Sequence, residues 1–262
     1  MIRDLVKKYI KKLLVQFHSY DNAIKKNYLP RSHYAYCCYQ GAVLAKKLKI
    51  KRISVIEFGC AGGTGLLAIE KITEKVEQLT GIQFDIFGFD SGIGLPKPLD
   101  YRDLPYIWKE GFFRMNKKKL TKQLKKSTIV FGEVNETIEK FIQKYSPSPI
   151  AAIFHDFDYY SSTLNSFKFI TQENQKFFLP RVFNYFDDII GGETELYNEF
   201  VGELLAISEF NNDNKSIKFA KAQNLITKKN QFVWYHQIRI LHFFNHPLYN
   251  EFIGNSNLQL EI

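Results

Sequence analysis

ISVIEFGCAGGTG, residues 53–65, changes character halfway along. Its first five residues are mostly β-branched and alternate little, which is the composition of a strand buried on both faces inside a parallel sheet. Three glycines and an alanine follow at once, and a helical apolar pattern through Leu66, Leu67, Ile69, Ile72 and Val76 begins directly after them. The segment therefore predicts a tight strand-to-helix turn, in which a ligand approaches the backbone closely and meets the N–H groups of a helix N-terminus. A dinucleotide fingerprint starting at Gly59 needs glycine where Ala61 and Thr64 stand, and a phosphate-binding loop needs a Gly-Lys-Ser/Thr ending that is absent. Phosphate is not the favoured guest of this turn.

On the C-terminal side the chain alternates strand and helix patterns, as a doubly wound sheet requires. FDIFGFD (84–90), STIVFGEV (127–134), PIAAIFHDFD (149–158) and RVFNYFDD (181–188) read as further strands, ending at Asp90, near Glu133, at Asp158 and at Asp188. Helical patterns at about 66–79, 117–126, 136–145 and 161–175 join them, and another at about 193–209 leads to SIKFAKA (216–222) and QFVWYHQIRI (231–240). These last two read as an antiparallel pair at the sheet edge. The expected architecture is α/β, a doubly wound, mostly parallel seven-stranded sheet with an antiparallel final hairpin and N-terminal helices. Residues 1–50 form the helical extension, 51–245 the main domain with a substrate loop at about 91–116, and 246–262 a tail. That loop is rich in aromatics and prolines and too long for an ordinary βα connection, which predicts a lid or substrate wall. Its Tyr101, Tyr106, Trp108, Phe112 and Phe113 are candidates to stack on a substrate face, and Arg102, Lys109 and Arg114 to meet acidic groups.

The chain has 262 residues, 45% of them hydrophobic, enough for one large domain. Its formal charge of +9, from 36 Lys and Arg against 27 Asp and Glu, favours an anionic partner or substrate. Cys37, Cys38 and Cys60 are too few for a disulfide framework and are badly spaced for zinc, so they read as buried small residues in a reducing cytoplasm. Over residues 3–17, Leu5, Val6, Tyr9, Ile10, Leu13, Leu14 and Phe17 make an apolar helical stripe with Lys7, Lys8, Lys11 and Lys12 off it. Its preferred destination is the domain itself or a second subunit; the alternative is peripheral docking on an anionic membrane surface. The lysines interrupt every apolar run there, so no signal peptide is read, and no stretch of about 18 apolar residues offers a membrane span. His33 reads as a packed surface residue.

In open α/β sheets ligands lie beyond the carboxyl ends of the strands, at the switch point, so acids there are informative. Asp90 is placed to accept both hydroxyls of a ribose, and Glu133, with Val134 beside it, lies where an adenine ring stacks and hydrogen-bonds; the plain alternative is that both cap helices. His155, Asp156, Asp158, Asp187 and Asp188 form a second group. If their strands are neighbours, about 4.8 Å apart, several carboxylates share one small volume. Their mutual repulsion calls for a divalent cation, and all-oxygen ligands favour Mg²⁺ or Ca²⁺ over zinc. Helix capping is again the plain alternative for Asp158 and Asp188.

VIEFGCAGGTG, then GFDSGIGLP (88–96), GEVNETI (132–138), HDFDYYSST (155–163) and NYFDD (184–188) occur in this order. The first motif resembles that of class I S-adenosylmethionine-dependent methyltransferases, and the whole series, over about residues 53–192, resembles the macrocin O-methyltransferase group of sugar methyltransferases. The resemblance implies S-adenosylmethionine bound by Glu57, Gly59, Ala61, Gly63, Thr64, Asp90, Ser91, Glu133, Val134 and Asp156. It also implies Mg²⁺ on Asp156, Asp187 and Asp188. Methyl transfer to a sugar or glycan hydroxyl then follows, with Asp156, Asp158 and, less favoured, His155 as catalytic residues. The family usually has a basic or aliphatic residue where His155 stands, and its substrate loop varies. A noncatalytic cofactor-binding or scaffold protein has no need of the acidic cluster, and a nicotinamide oxidoreductase leaves Ala61 and Thr64 unexplained. A nucleic-acid methyltransferase lacks its Asn/Asp-Pro-Pro-Tyr/Phe signature here, so no nucleic acid is expected. A non-sugar small molecule remains the alternative acceptor, and the chain is expected to form a homo-oligomer.

Overall fold

The computed structural model describes residues 11 and 14–254. Seven strands form one sheet: β1 (Arg52–Phe58), β2 (Gln83–Asp90), β3 (Ser127–Phe131), β4 (Ile150–His155), β5 (Phe178–Phe186), β6 (Ile217–Lys221) and β7 (Ile238–Phe243). Their spatial order is β3-β2-β1-β4-β5-β7-β6. The first five are parallel, and β7 runs antiparallel between β5 and β6. The chain winds from β1 out to β3 and then returns to place β4 on the other flank of β1. The switch point therefore lies between β1 and β4, where a crevice opens beyond the strand ends. Every residue of β4 is buried and only Arg52 of β1 is exposed, which accounts for their apolar, unalternating sequences.

The helices described over their full length are α1 (Tyr20–Lys25), α2 (Ser32–Lys47), α3 (Thr64–Thr80), α4 (Lys117–Gln123), α5 (Val134–Tyr145), α6 (Tyr160–Ser166), α7 (Gly202–Asp213) and α8 (Gln223–Ile226). Residues of α2 and α3 fill one apolar layer on the sheet, and α5 and α7 contribute to the other. Cys37, Cys38 and Cys60 are free and buried in the first layer, as their small apolar character implies. Helix α2 lies very close to β4: a Cβ added at Gly41 falls 2.9 Å from the Cβ of Ala151. Among the described residues no helix is long and apolar enough to cross a membrane. Residues 1–10, 12 and 13, which hold most of the amphipathic stripe, lie outside the described residues, as do 255–262 of the tail.

Three boundaries differ from the sequence expectation. The seventh strand starts at Ile238 rather than near 231, because Val233–Tyr235 form a 3₁₀ turn. Trp234 packs its ring 5.7 Å from Tyr36, and the Tyr235 hydroxyl donates to the carbonyl of Lys25 at 2.6 Å, so these apolar residues serve the helical layer instead of the sheet. The helix expected at 161–175 stops at Ser166 in a 3₁₀ turn. The helix expected from 193 forms only from Gly202; in the segment before it the Tyr197 hydroxyl donates to Asp188 beyond the end of β5.

Overfilling the α2–β4 contact tests this packing. Gly41→Val is expected to destabilise the fold by about 1–3 kcal/mol. Urea denaturation should show a lower midpoint with an unchanged slope.

Candidate active site

The glycine turn begins where β1 and β4 diverge. Gly59 has φ +76, and a Cβ there would sit 1.8 Å from the carbonyl oxygen of Asp156, so only glycine lets the turn pass this peptide. Gly63, at φ +77, is the N-cap of α3 and supplies no side-chain cap. Glu57, the last residue but one of β1, has its side chain buried. Its Oε1 accepts from the Tyr34 hydroxyl at 2.9 Å, whereas Oε2 has no partner. Burial pushes this carboxyl up to about 7. Gly65 makes the room, since a Cβ there would lie 1.8 Å from Glu57 Oε1.

Asp90 caps no α-helix. Its Oδ2 accepts from the N–H of Ala61 at 2.7 Å and its Oδ1 from Gly92 at 2.5 Å, tying the end of β2 to the glycine turn. A carboxylate has about four acceptor sites, so two remain for a ligand. Burial raises its pKa, and the two backbone N–H groups oppose that rise. Glu133 occupies the N-cap position of α5 but makes no side-chain cap bond. Burial, followed by Glu136 and Asp90, raises its pKa.

The acidic group gathers as the strand register requires. His155 pairs with Phe186 across β4 and β5, so the next residues, Asp156 and Asp187, emerge side by side. Carboxylate oxygens of Asp156, Asp187 and Asp188 all lie within 4.8 Å of one another. Asp188 Oδ2 accepts from the Asp158 N–H at 2.9 Å and its Oδ1 from the Tyr197 hydroxyl at 3.2 Å, while Asp187 Oδ1 accepts from the Tyr185 hydroxyl at 2.5 Å. Asp158 is held at φ +60 and does not cap α6, whose N-cap is Tyr159. Burial first, and then the neighbouring aspartates, raise Asp156, Asp158 and Asp188 above the ordinary value of 3.8. An all-carboxylate set this compact suits a hard divalent cation.

One cavity of about 330 Å³ joins the two groups. Gly59, Ala61, Asp90, Ser91, Glu133 and Val134 line one part, and Asp156, Asp158, Asp187 and Asp188 another. Leu95, Pro96, Trp108 and Phe113 of the long loop form an apolar wall. The loop is docked rather than free. Buried Asp103 accepts from the Leu99 N–H, the Ser161 N–H and the Ser161 hydroxyl, and the Tyr106 hydroxyl donates to the Glu195 carbonyl. Tyr101, Tyr106 and Phe112 do not line the cavity, and Arg102 is engaged by Asp100 and Tyr160.

No protein-family model and no curated protein matches this chain. Among solved structures, the calicheamicin methyltransferase CalS11 matches at 16% identity over 92% of this chain and 93% of its own, with a TM-score of 0.52. The O-methyltransferase NovP matches at 9% identity over 80% of this chain and 79% of its own, also with a TM-score of 0.52. The fold is the Rossmann-like methyltransferase fold. Identities this low establish architecture, and the chemistry rests on the site.

His155 does not belong to that site. It is fully buried, stacked 4.2 Å from Phe186 and paired with Asn184, and burial lowers its pKa to about 3. As the last residue of β4 its side chain alternates away from Asp156 into the aromatic core, so the expectation of a histidine base is corrected. Glu57, Gly63 and Thr64 also lie off the cavity wall; Thr64 Oγ1 accepts from Arg31 at 3.1 Å. Two residues that shape the cluster were not legible in sequence. Tyr197 holds Asp188, and the fully buried Glu203 accepts the Asp188 N–H at 3.0 Å through Oε2. The signal for Glu203 was one acid among the apolar positions of α7.

The raised aspartates set a pH dependence. In metal-free protein they keep protons that the unfolded chain has already lost, so they contribute stability at low pH, and this is lost as pH rises from 3.8 through the neutral range. Thermal melts in chelator should show this fall, and it should be smaller in Asp188→Asn.

Proposed function

We propose that this chain transfers a methyl group from S-adenosylmethionine to a hydroxyl of a sugar or glycan-type acceptor, with Mg²⁺ held beside it. The observation that carries this reading is the single cavity shared by the glycine turn, Asp90 and Glu133 with the four clustered aspartates. The unpartnered buried Oε2 of Glu57 fits a cationic amino group, and the free acceptor sites of Asp90 fit ribose hydroxyls. Ser91, Glu133 and Val134 would flank the base. Asp156, Asp187 and Asp188 would hold the cation. When bound, the sulfonium supplies an electrophilic methyl group and the cation supplies charge that acidifies and orients a hydroxyl.

The remaining work belongs to this chain's own groups. Asp158, beside the cluster on the cavity wall, takes the proton of the acceptor hydroxyl on its carboxylate. Leu95, Pro96, Trp108 and Phe113 exclude water and pack an acceptor face, which keeps the reacting oxygen close to the donor. Direct displacement needs no covalent enzyme intermediate, so positioning supplies much of the rate. The same apolar wall favours a second reading of the acceptor as a non-sugar small molecule with one hydroxyl.

Two measurements test the reading. Asp90→Asn should weaken S-adenosylmethionine binding at least about tenfold in calorimetry, since a charge-assisted hydrogen bond contributes about 1.5–3 kcal/mol. Preferential binding of NAD by the native protein would overturn the assignment. Methyl transfer should vanish in chelator and return with Mg²⁺, and Asp187→Asn should lose turnover while still binding cofactor; full activity in chelator would remove the metal from the proposal.

A further inference from the structure

The chain's excess of positive charge is concentrated in one place. From Lys109 to Lys122 six Lys or Arg accompany a single acid, Glu110, and supply more than half of the net +9. All six are exposed, and no ion pair among the described residues includes any of them. Local helix stability does not account for them. Lys117, Lys118 and Lys119 open α4, whose first turn holds no acid, and the helix dipole disfavours cations there.

Large apolar side chains stand among these cations. Ile93, Phe112 and Phe113 are 65%, 42% and 50% exposed, although the same loop buries Leu104 and Met115. The two sets of residues meet. The Lys117 side chain runs along Gly92, next to Ile93, where a Cβ would lie 1.9 Å from its Cε, and the Arg114 guanidinium lies against Gly111, next to Phe112. Two backbone hydrogen bonds of 2.8 Å clamp this tip, from the Leu95 N–H to the Phe112 carbonyl and from the Gly111 N–H to the Leu95 carbonyl. Phe113 is held at φ +61, a region that a bulky residue seldom adopts. The tip is therefore fixed in place with its rings partly uncovered. Phe113 also lines the cavity, so the patch begins at the cavity rim.

We propose that this patch docks on an anionic lipid surface and so turns the cavity rim towards the bilayer. A lipid interface takes both halves of the pattern: apolar side chains enter the acyl boundary while Lys and Arg meet the headgroup charge. An acidic protein or polymer would use the cations and leave Ile93 and Phe112 without a role. The patch is a different segment from residues 3–17, and its docking needs neither cofactor nor cation.

Sedimentation of the full chain with lipid vesicles is the test. Binding to vesicles of phosphatidylglycerol with phosphatidylcholine is expected, weakening as salt rises, with little binding to phosphatidylcholine alone. Lys118→Glu combined with Lys119→Glu should lower partitioning at least about tenfold, and Phe112→Ser about fivefold. None of these residues lines the cavity, and thermal melts of the variants should not fall below that of the native protein. Equal affinity for both kinds of vesicle, or binding to neither, would overturn the proposal. Unchanged binding after the charge reversal would also overturn it, by placing the contact elsewhere, residues 3–17 included. Unchanged binding in Phe112→Ser would make the patch a site for an acidic macromolecule instead.

Discussion

Mutual repulsion among Asp156, Asp158, Asp187 and Asp188 is the constraint that the C-terminal edge of the sheet is built around. Parallel pairing of β4 with β5 forces Asp156 and Asp187 together, and the neighbouring residues add two more carboxylates. The structure answers with donors. Tyr185 and Tyr197 hydroxyls and the Asp158 N–H each reach one of these oxygens, and Asp158 accepts the left-handed backbone that aims its N–H at Asp188. Three donors do not neutralise four charges, so protons or a cation have to supply the rest.

The glycine turn responds to a steric demand at the same place. Gly59 passes the Asp156 peptide at a distance that no Cβ allows, and Gly65 leaves room for the Glu57 carboxyl. Asp90 then anchors the turn by accepting from Ala61 on one side and Gly92 on the other. The turn and the acidic cluster are thus coupled through Asp156, whose backbone borders one and whose carboxylate belongs to the other. The long loop closes the opposite wall, fixed through Asp103 to the start of α6.

Most of the fold was legible because it rests on local signals. Strands β1 and β4 are buried on both faces, and their unbroken apolar runs say so; the helix after Gly63 shows its period at once. The acids at the strand ends were legible because a parallel sheet puts all such ends on one side. Boundaries failed where a long-range partner took over. Trp234 and Tyr235 have strand-like sequence, but α1 and α2 claim their rings, and the Tyr197 hydroxyl, in the segment before α7, donates to Asp188.

By itself the sequence determined the order of elements, the glycine turn and the set of acids at the sheet's carboxyl edge, since these depend on residue type and period alone. Only the tertiary structure decided which of those groups face the cavity. His155 and Asp156 are adjacent in the chain, yet alternation along β4 sends one ring into the aromatic core and the other carboxylate into the cluster. Glu203 reaches the Asp188 N–H from α7, a contact between separate elements that no local pattern encodes. Side-chain direction and long-range register, rather than composition, separate a buried histidine from a site residue.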